Sequence, residues 1–393
     1  MERSDPRYQA YVEILKEELI PAMGCTEPIA LAYAAAKARE VLGMLPESVQ
    51  LQVSGSIIKN VKSVIVPNTG HLKGMEAAAA AGIIAGSAEK ELEVIAEVST
   101  DKQAAIRDYL QTVPISIEHI EQGHVFDIIV TERCGQDYAR VRIADFHTNI
   151  CLIEKDGKVL YEKPLADEAV QESSRADRSL LNMKDIWEFA ETADLRDVAD
   201  LLERQIRYNN AIAEEGLLGD YGANIGRVLL STYGNDVSNR AKAKAAAGSD
   251  ARMNGCELPV IINSGSGNQG ITCSVPLIEY AKELHSGKEK LYRALIISNL
   301  VAIHEKTGIG TLSAYCGAVS AGAGAGAGIV YLCGDGYQAA IHTVVNALAI
   351  VSGIVCDGAK ASCAAKIASS GEGHRDHHQG HRPSGQGRDE GDQ

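Results

Sequence analysis

Three cysteines near the C-terminal end, Cys316, Cys356 and Cys363, are spaced 40 and 7 residues apart among glycines and alanines. Three thiolates can hold an iron–sulfur cluster by three corners and leave one iron open to a ligand. A fourth cysteine, Cys25, stands far upstream in the run Met23-Gly24-Cys25-Thr26-Glu27-Pro28-Ile29-Ala30, where a helical pattern begins. A helix N-terminus favours a thiolate through its dipole and unpaired N–H groups, which predicts a lowered pKa for Cys25. Read blandly, Cys25 is a small hydrophobe tucked at a helix start, and the other three are a zinc set. The Cys-x-x-Cys pairs usual in structural zinc sites are absent, as is ferredoxin-type spacing. Spacing alone leaves these readings open.

Two further runs carry candidate ligand contacts. Asn263-Ser264-Gly265-Ser266-Gly267-Asn268-Gln269-Gly270 lies between an apolar strand-like segment and a helix expected to begin near Pro276. Its glycines let backbone approach a ligand, and successive N–H groups can cradle a carboxylate, with Ser264, Ser266 and Asn268 as side-chain donors. It lacks the Gly-Lys-Ser/Thr ending of a phosphate loop. Pro67-Asn68-Thr69-Gly70 follows a strand-like segment; turn chemistry accounts for it, and Asn68 and Thr69 are candidate substrate contacts. Cys134, Cys151, Cys256, Cys273 and Cys333 read as structural, with Cys273 and Cys333 nearest the site by chain position. His304 and Glu305 read as core or surface residues rather than a catalytic pair.

A net charge of −14 argues against nucleic acid and anionic membrane surfaces as partners, and leaves a small anionic substrate open. The first residues lack a signal peptide's apolar core, and no stretch supplies the ~20 apolar residues of a membrane span. A cytoplasmic location is expected, where nine cysteines are metal-binding, catalytic or buried rather than disulfide-bonded. A homo-oligomer is left open.

These residues need elements to position them, and hydrophobic periodicity supplies a plan. Helical patterns cover 7–20, 27–42, 73–86 and 101–112. Period-two or apolar runs predict strands at 49–53, 61–66, 91–98, 115–121, 125–131, 139–145, 150–154 and 159–161, with Asp156-Gly157 as a hairpin turn. From 167 to about 370 the pattern is helical. The fold class expected is α+β: a mostly helical catalytic domain, 1–46 plus 167–370, with an inserted α/β sheet domain at 47–166. Residues 371–393 hold six glycines, four histidines and no large apolar side chain, and are expected to be a disordered tail.

Together, the runs 23–30, 263–270 and Cys356-Asp357-Gly358-Ala359-Lys360-Ala361-Ser362-Cys363-Ala364 resemble the iron–sulfur L-cysteine desulfidases. That family is related to the alpha part of bacterial iron–sulfur L-serine dehydratase and to UPF0597-type proteins, and the resemblance spans nearly all of 8–370. It implies a [4Fe–4S] cluster held by Cys316, Cys356 and Cys363 with one open iron. It also implies Cys25 as the proton-transferring thiol and the 263–270 loop as the carboxylate grip. The implied reaction converts L-cysteine and water to hydrogen sulfide, ammonia and pyruvate without pyridoxal phosphate. L-serine dehydratase activity is the nearest alternative; a non-catalytic cluster-bearing amino-acid sensor and a structural zinc protein are others. After Ser370 the sequence departs from the family pattern, which there continues with an apolar helix-forming segment. That departure points to an altered terminus and puts cluster retention in question.

Overall fold

A computed structural model describes residues 1–165, 175–310, 313, 315–356 and 358–370. The expected tail at 371–393 lies outside the described residues. Helix α1 (Pro6–Glu18) starts with Pro6 behind an Asp5 cap whose carboxylate accepts from Arg7 N. A three-residue strand, β1 (Pro21–Met23), leads through Gly24 into α2 (Thr26–Leu42), which ends at Gly43 in the left-handed conformation. Then come β2 (Ser48–Val53), α3 (Gly55–Val61), α4 (Gly74–Ala85) and α5 (Thr100–Thr112).

Strands β3 (Ile115–His119), β4 (Asp127–Cys134), β5 (Asp137–Ala144), β6 (Ile150–Lys155) and β7 (Lys158–Glu162) complete a six-stranded sheet. Its order is β3-β2-β4-β5-β6-β7; only the β2–β3 pair is parallel. Val49, Leu51 and Val53 alternate inward from β2 as their period predicts. Asp156 and Gly157, both at positive φ, turn β6 into β7.

Helices α6 (Met183–Thr192), α7 (Ala199–Leu218), α8 (Ile225–Tyr233) and α9 (Val237–Met253) follow. Strand β8 (Pro259–Ile261) precedes α10 (Gly267–Glu283), α11 (Lys288–Ile309), α12 (Gly317–Cys333), α13 (Tyr337–Ile350) and α14 (Ser362–Ser370). The fold is α+β. The glycine–alanine run 317–328 is helical, and its glycines serve helix–helix contact. A Cβ at Gly324 would lie 2.4 Å from Ser298 O on α11.

Three elements differ from expectation. Residues 61–66 form no strand: α3 ends at Val61, and only Ile65 makes a bridge, to Lys73. The 91–98 strand is replaced by a short 3-10 turn over Ala88–Glu93, with Glu91 at φ 47°. Helix α10 begins at Gly267, well before Pro276, which is accommodated inside the helix. In all three, tertiary packing overrides local pattern.

Helix α2 packs on α4 and on β4 and β5, so Thr26–Leu42 lies against the sheet. Its neighbour β1 crosses to the helical part and pairs antiparallel with β8, Pro21 opposite Ile261 and Met23 opposite Pro259. One apolar cluster joins Val49, Leu51 and Val130 of the sheet to Ile212, Ile271 and Val319 of the helices. A second joins α1 and α6 to α11 and α12.

Candidate functional site

Pairing of β1 with β8 sets the first contact, because each strand runs directly into a candidate segment. Cys25 is the N-cap of α2, and Thr26 Oγ1 donates to Gly265 O at 2.9 Å, tying the helix start to the 263–270 loop. Behind it, a Cβ on Gly24 would lie 2.7 Å from Pro67 Cγ, so the 67–70 turn buttresses the approach to Cys25. That is the role the structure gives Asn68 and Thr69. Asn68 Nδ2 donates to Ile95 O at 2.8 Å and to Met23 Sδ, and Thr69 Oγ1 donates to Val66 O at 2.7 Å. Both side chains are buried and engaged with the protein.

Cys25 is fully buried, and its thiol donates to Glu27 Oε2 at 3.1 Å. Burial, then the Glu27 charge, pushes the Cys25 pKa well above the ordinary thiol value. The expectation of a lowered pKa is thereby corrected: desolvation and a carboxylate at hydrogen-bond distance outweigh the helix dipole. Glu27 also accepts from Thr26 Oγ1 and from Asn60 Nδ2 at 2.9 Å. Burial raises its pKa, but His147, the Cys25 hydrogen bond and Arg252 hold it below the ordinary carboxylate value. The resting pair is a neutral thiol facing a carboxylate.

The 263–270 loop is compact. Ser264 and Gly265, at φ 48° and 75°, form a tight turn closed by Asn263 N to Ser266 O and Ser266 N to Asn263 O. Two of its glycines face side chains: a Cβ at Gly265 would lie 3.0 Å from His147 Cε1, and one at Gly267 would lie 2.2 Å from Arg252 Nε. Ser264 Oγ donates to Asn263 Oδ1. Ser266 caps α10 without a side-chain hydrogen bond. Asn268 Oδ1 accepts from Arg252 Nη1 at 3.1 Å. Gln269 lies against the start of α12, where a Cβ on Gly317 would come within 2.5 Å of its Cδ.

Gly317 directly follows Cys316, the N-cap of α12. Cys316 N donates to Ile354 O, and Tyr315 bridges Val355, which brings Cys316 beside Cys356. Gly358, at φ 100°, lies against Lys59 O of α3. Cys363 then packs into one small apolar cluster with Cys25, Val64 and Met253. The three cysteines lie within electrostatic range of one another. Burial raises the pKa of Cys316 and Cys363, opposed by the backbone N–H of Ala318 and of Lys360 respectively and by Lys366. Lys306 faces the same group; burial depresses its pKa while Cys356 and Cys316 pull it back up.

The donor set is of the type that an iron–sulfur cluster would use. It is three sulfurs with cationic Lys306 and Lys366 in range. Among the described residues, no three His, Cys, Asp or Glu side chains are drawn together tightly enough to hold one metal ion. Cys273 is elsewhere, packed against Ala302 and Ala321, and burial pushes its pKa up to about 12. The described residues contain no helix long and apolar enough to cross a membrane.

With this geometry in view, the comparisons with known proteins decide the family. Residues 74–373 match the serine dehydratase alpha chain family. The chain belongs to that family. It is also 61% identical over 370 residues to a UPF0597 protein of Desulfitobacterium hafniense, covering 94% of this chain and 86% of the relative. UPF0597 proteins of Lachnoclostridium phytofermentans (54%) and Treponema denticola (47%) match 92% and 93% of this chain, and 86% and 85% of their own lengths. Membership in the serine dehydratase alpha chain family supports a lyase-type enzyme of amino-acid catabolism.

Sequence reasoning passed over Glu27, His147, Arg252, Gln269 and Lys306. Glu27 stood inside a quoted motif, two residues from Cys25, and could have been found there. Arg252 is next to last in an alanine-rich helix that also holds Arg240, so its type alone does not single it out. His147 sits in a turn between β5 and β6 with nothing local to mark it.

Proposed function

We propose that this chain is a [4Fe–4S]-dependent lyase that converts L-cysteine and water to hydrogen sulfide, ammonia and pyruvate. The observation that carries the reading is the meeting of Cys25 with Cys363, and of Cys363 with Cys316 and Cys356, from opposite ends of the chain. Cys316, Cys356 and Cys363 would hold the cluster, which supplies Lewis acidity toward the departing sulfur.

The chain's own residues handle the proton. Cys25 Sγ rests protonated against Glu27 Oε2 at 3.1 Å. To take a proton from the substrate's Cα, Cys25 must first lose its own, and Glu27 Oε2 is the acceptor placed to receive it. Water exclusion follows from burial of Cys25, Glu27 and His147. Ser266, with an uncommitted side chain at the head of α10, offers a hydroxyl to the substrate's polar end.

A second reading, L-serine as substrate with hydroxide leaving, is favoured by the family match itself. Anaerobic purification with assays of sulfide and pyruvate from both amino acids separates the two. A brown protein that makes both products from L-cysteine, and less pyruvate from L-serine, is the expected result. Cys25→Ala should keep the colour and lose turnover by ~10²–10⁴-fold. A protein still colourless after reconstitution with iron and sulfide, or a fully active Cys25→Ala, would overturn the proposal.

A further inference from the structure

We infer that Arg252, rather than the amides of the 263–270 loop, is the residue that grips the substrate's α-carboxylate; the inference rests on the lyase reading above for its substrate class. Arg252 ends α9 and is only 3% exposed. A guanidinium has five N–H donors in a fixed planar fork. Among the described residues its hydrogen bonds are Nη1 to Asn268 Oδ1 at 3.1 Å and a long contact from Nη1 to Met253 Sδ at 3.6 Å. Nε is buried and has no partner. No carboxylate lies within ion-pair distance of it among the described residues. Glu27 shares its field, but with no carboxylate in contact the buried Nε–H is left for an arriving anion to meet.

Its position fits the anion that this chemistry requires. Arg252 packs against Gly267, close to the Gly265 carbonyl that accepts from Thr26, and its neighbour Met253 shares an apolar cluster with Cys25 and Cys363. The Arg252 charge also acts on Cys25, Glu27 and His147. Lys306, half-buried, faces Cys316 and Cys356 as well as Glu27. An amino acid whose carboxylate meets Arg252 and whose sulfur points toward the three cysteines would lay its Cα between them, near Cys25. Gly267 makes this possible, because a Cβ there would lie 2.2 Å from Arg252 Nε. Asn268 becomes a positioning residue: its Oδ1 holds Nη1 and sets the plane of the fork. Paired N–H donors favour a planar carboxylate over an amide or ester. The substrate class is therefore a free α-amino acid, with its amide and ester derivatives rejected.

The test uses the full-length protein with its cluster, handled anaerobically, and L-alanine as a ligand without a leaving group. Calorimetry should show L-alanine binding at least about 30-fold tighter than L-alaninamide, the discrimination expected of a buried charged pair. Arg252→Gln should erase that preference, and Arg252→Lys should keep part of it. In turnover, the loss should fall on KM for L-cysteine more than on kcat. Folding is checked by thermal melts; should the Gln variant not fold, the Lys variant alone decides. An undiminished preference in a folded Arg252 variant, or none in the wild type, overturns the assignment. Failure of the lyase reading is distinguishable: a protein that turns over neither L-cysteine nor L-serine, yet shows an Arg252-dependent carboxylate preference, loses the reaction and keeps the anchor.

Discussion

At the scale of single residues, the Cys25–Glu27 pair decides how the site responds to pH. Burial and the Glu27 charge raise the thiol's pKa, so the thiolate forms at higher pH than for a free cysteine. Activity that needs this thiolate should rise as pH increases through the neutral and alkaline range. Glu27→Gln removes the charge and leaves an amide of the same shape, so the Cys25 pKa should fall and the rising limb of kcat/KM should move to lower pH. The plateau rate should drop, because Glu27 no longer receives the proton. A pH–rate profile of the variant that coincides with the wild type would refute the coupling. Residues of this kind were only half legible in the sequence. The cysteines announce themselves by chemistry and motif, but the protonation state of Cys25 depends on neighbours that packing supplies. His147 and Arg252 reach the site through turns and a helix end that carry no local signature.

Elements were more legible where hydrophobic period and turn chemistry agreed, as in α1, α2, β2 and the β6–β7 hairpin. The segments 61–66 and 91–98 misled because their apolar residues face neighbouring elements without extended backbone; Val61, Val64 and Val66 are all buried while the chain turns. Helix α10 was placed late because Pro276 looked like a start. Close helix contacts depend on glycines whose role no pattern reveals. On α4, a Cβ at Gly82 would lie 2.1 Å from Ala32 O, in the backbone of the helix that carries Cys25. Gly82→Ala should therefore destabilise the protein by about 3 kcal/mol, since backbone must move to admit the methyl group. Gly308, exposed within α11 with nothing within 4 Å, is the control. Gly308→Ala should stabilise by ~0.5–1 kcal/mol through helix propensity. Denaturant midpoints measure both, and equal effects at the two positions would contradict this account of α2–α4 packing.

Over the whole molecule, the site exists only when distant segments are assembled. Cys25 comes from the head of the first helix after β1, His147 from the β5–β6 turn of the sheet, Arg252 and Asn268 from the middle helices, and Cys316, Cys356 and Cys363 from the last third. The two apolar clusters that hold these parts are not independent. Helix α12 places Ala318 and Val319 in the cluster shared with the sheet, and Ala323, Ala325 and Ala327 in the cluster around Trp187. Loss of one cluster should thus withdraw α12 from the other and open the site. Trp187, the single tryptophan, reports on the α6 side, packed edge-on to Tyr331 of α12 at 5.4 Å. Its fluorescence change in denaturant should coincide with exposure of Cys25 to a thiol reagent applied as a brief pulse, with one midpoint for both. Labelling of Cys25 at denaturant concentrations where Trp187 is still native would show the sheet and the helical part unfolding separately. The bridge through α12 would then be too weak to couple them, and the site would open by local release of α2 with the helical core intact.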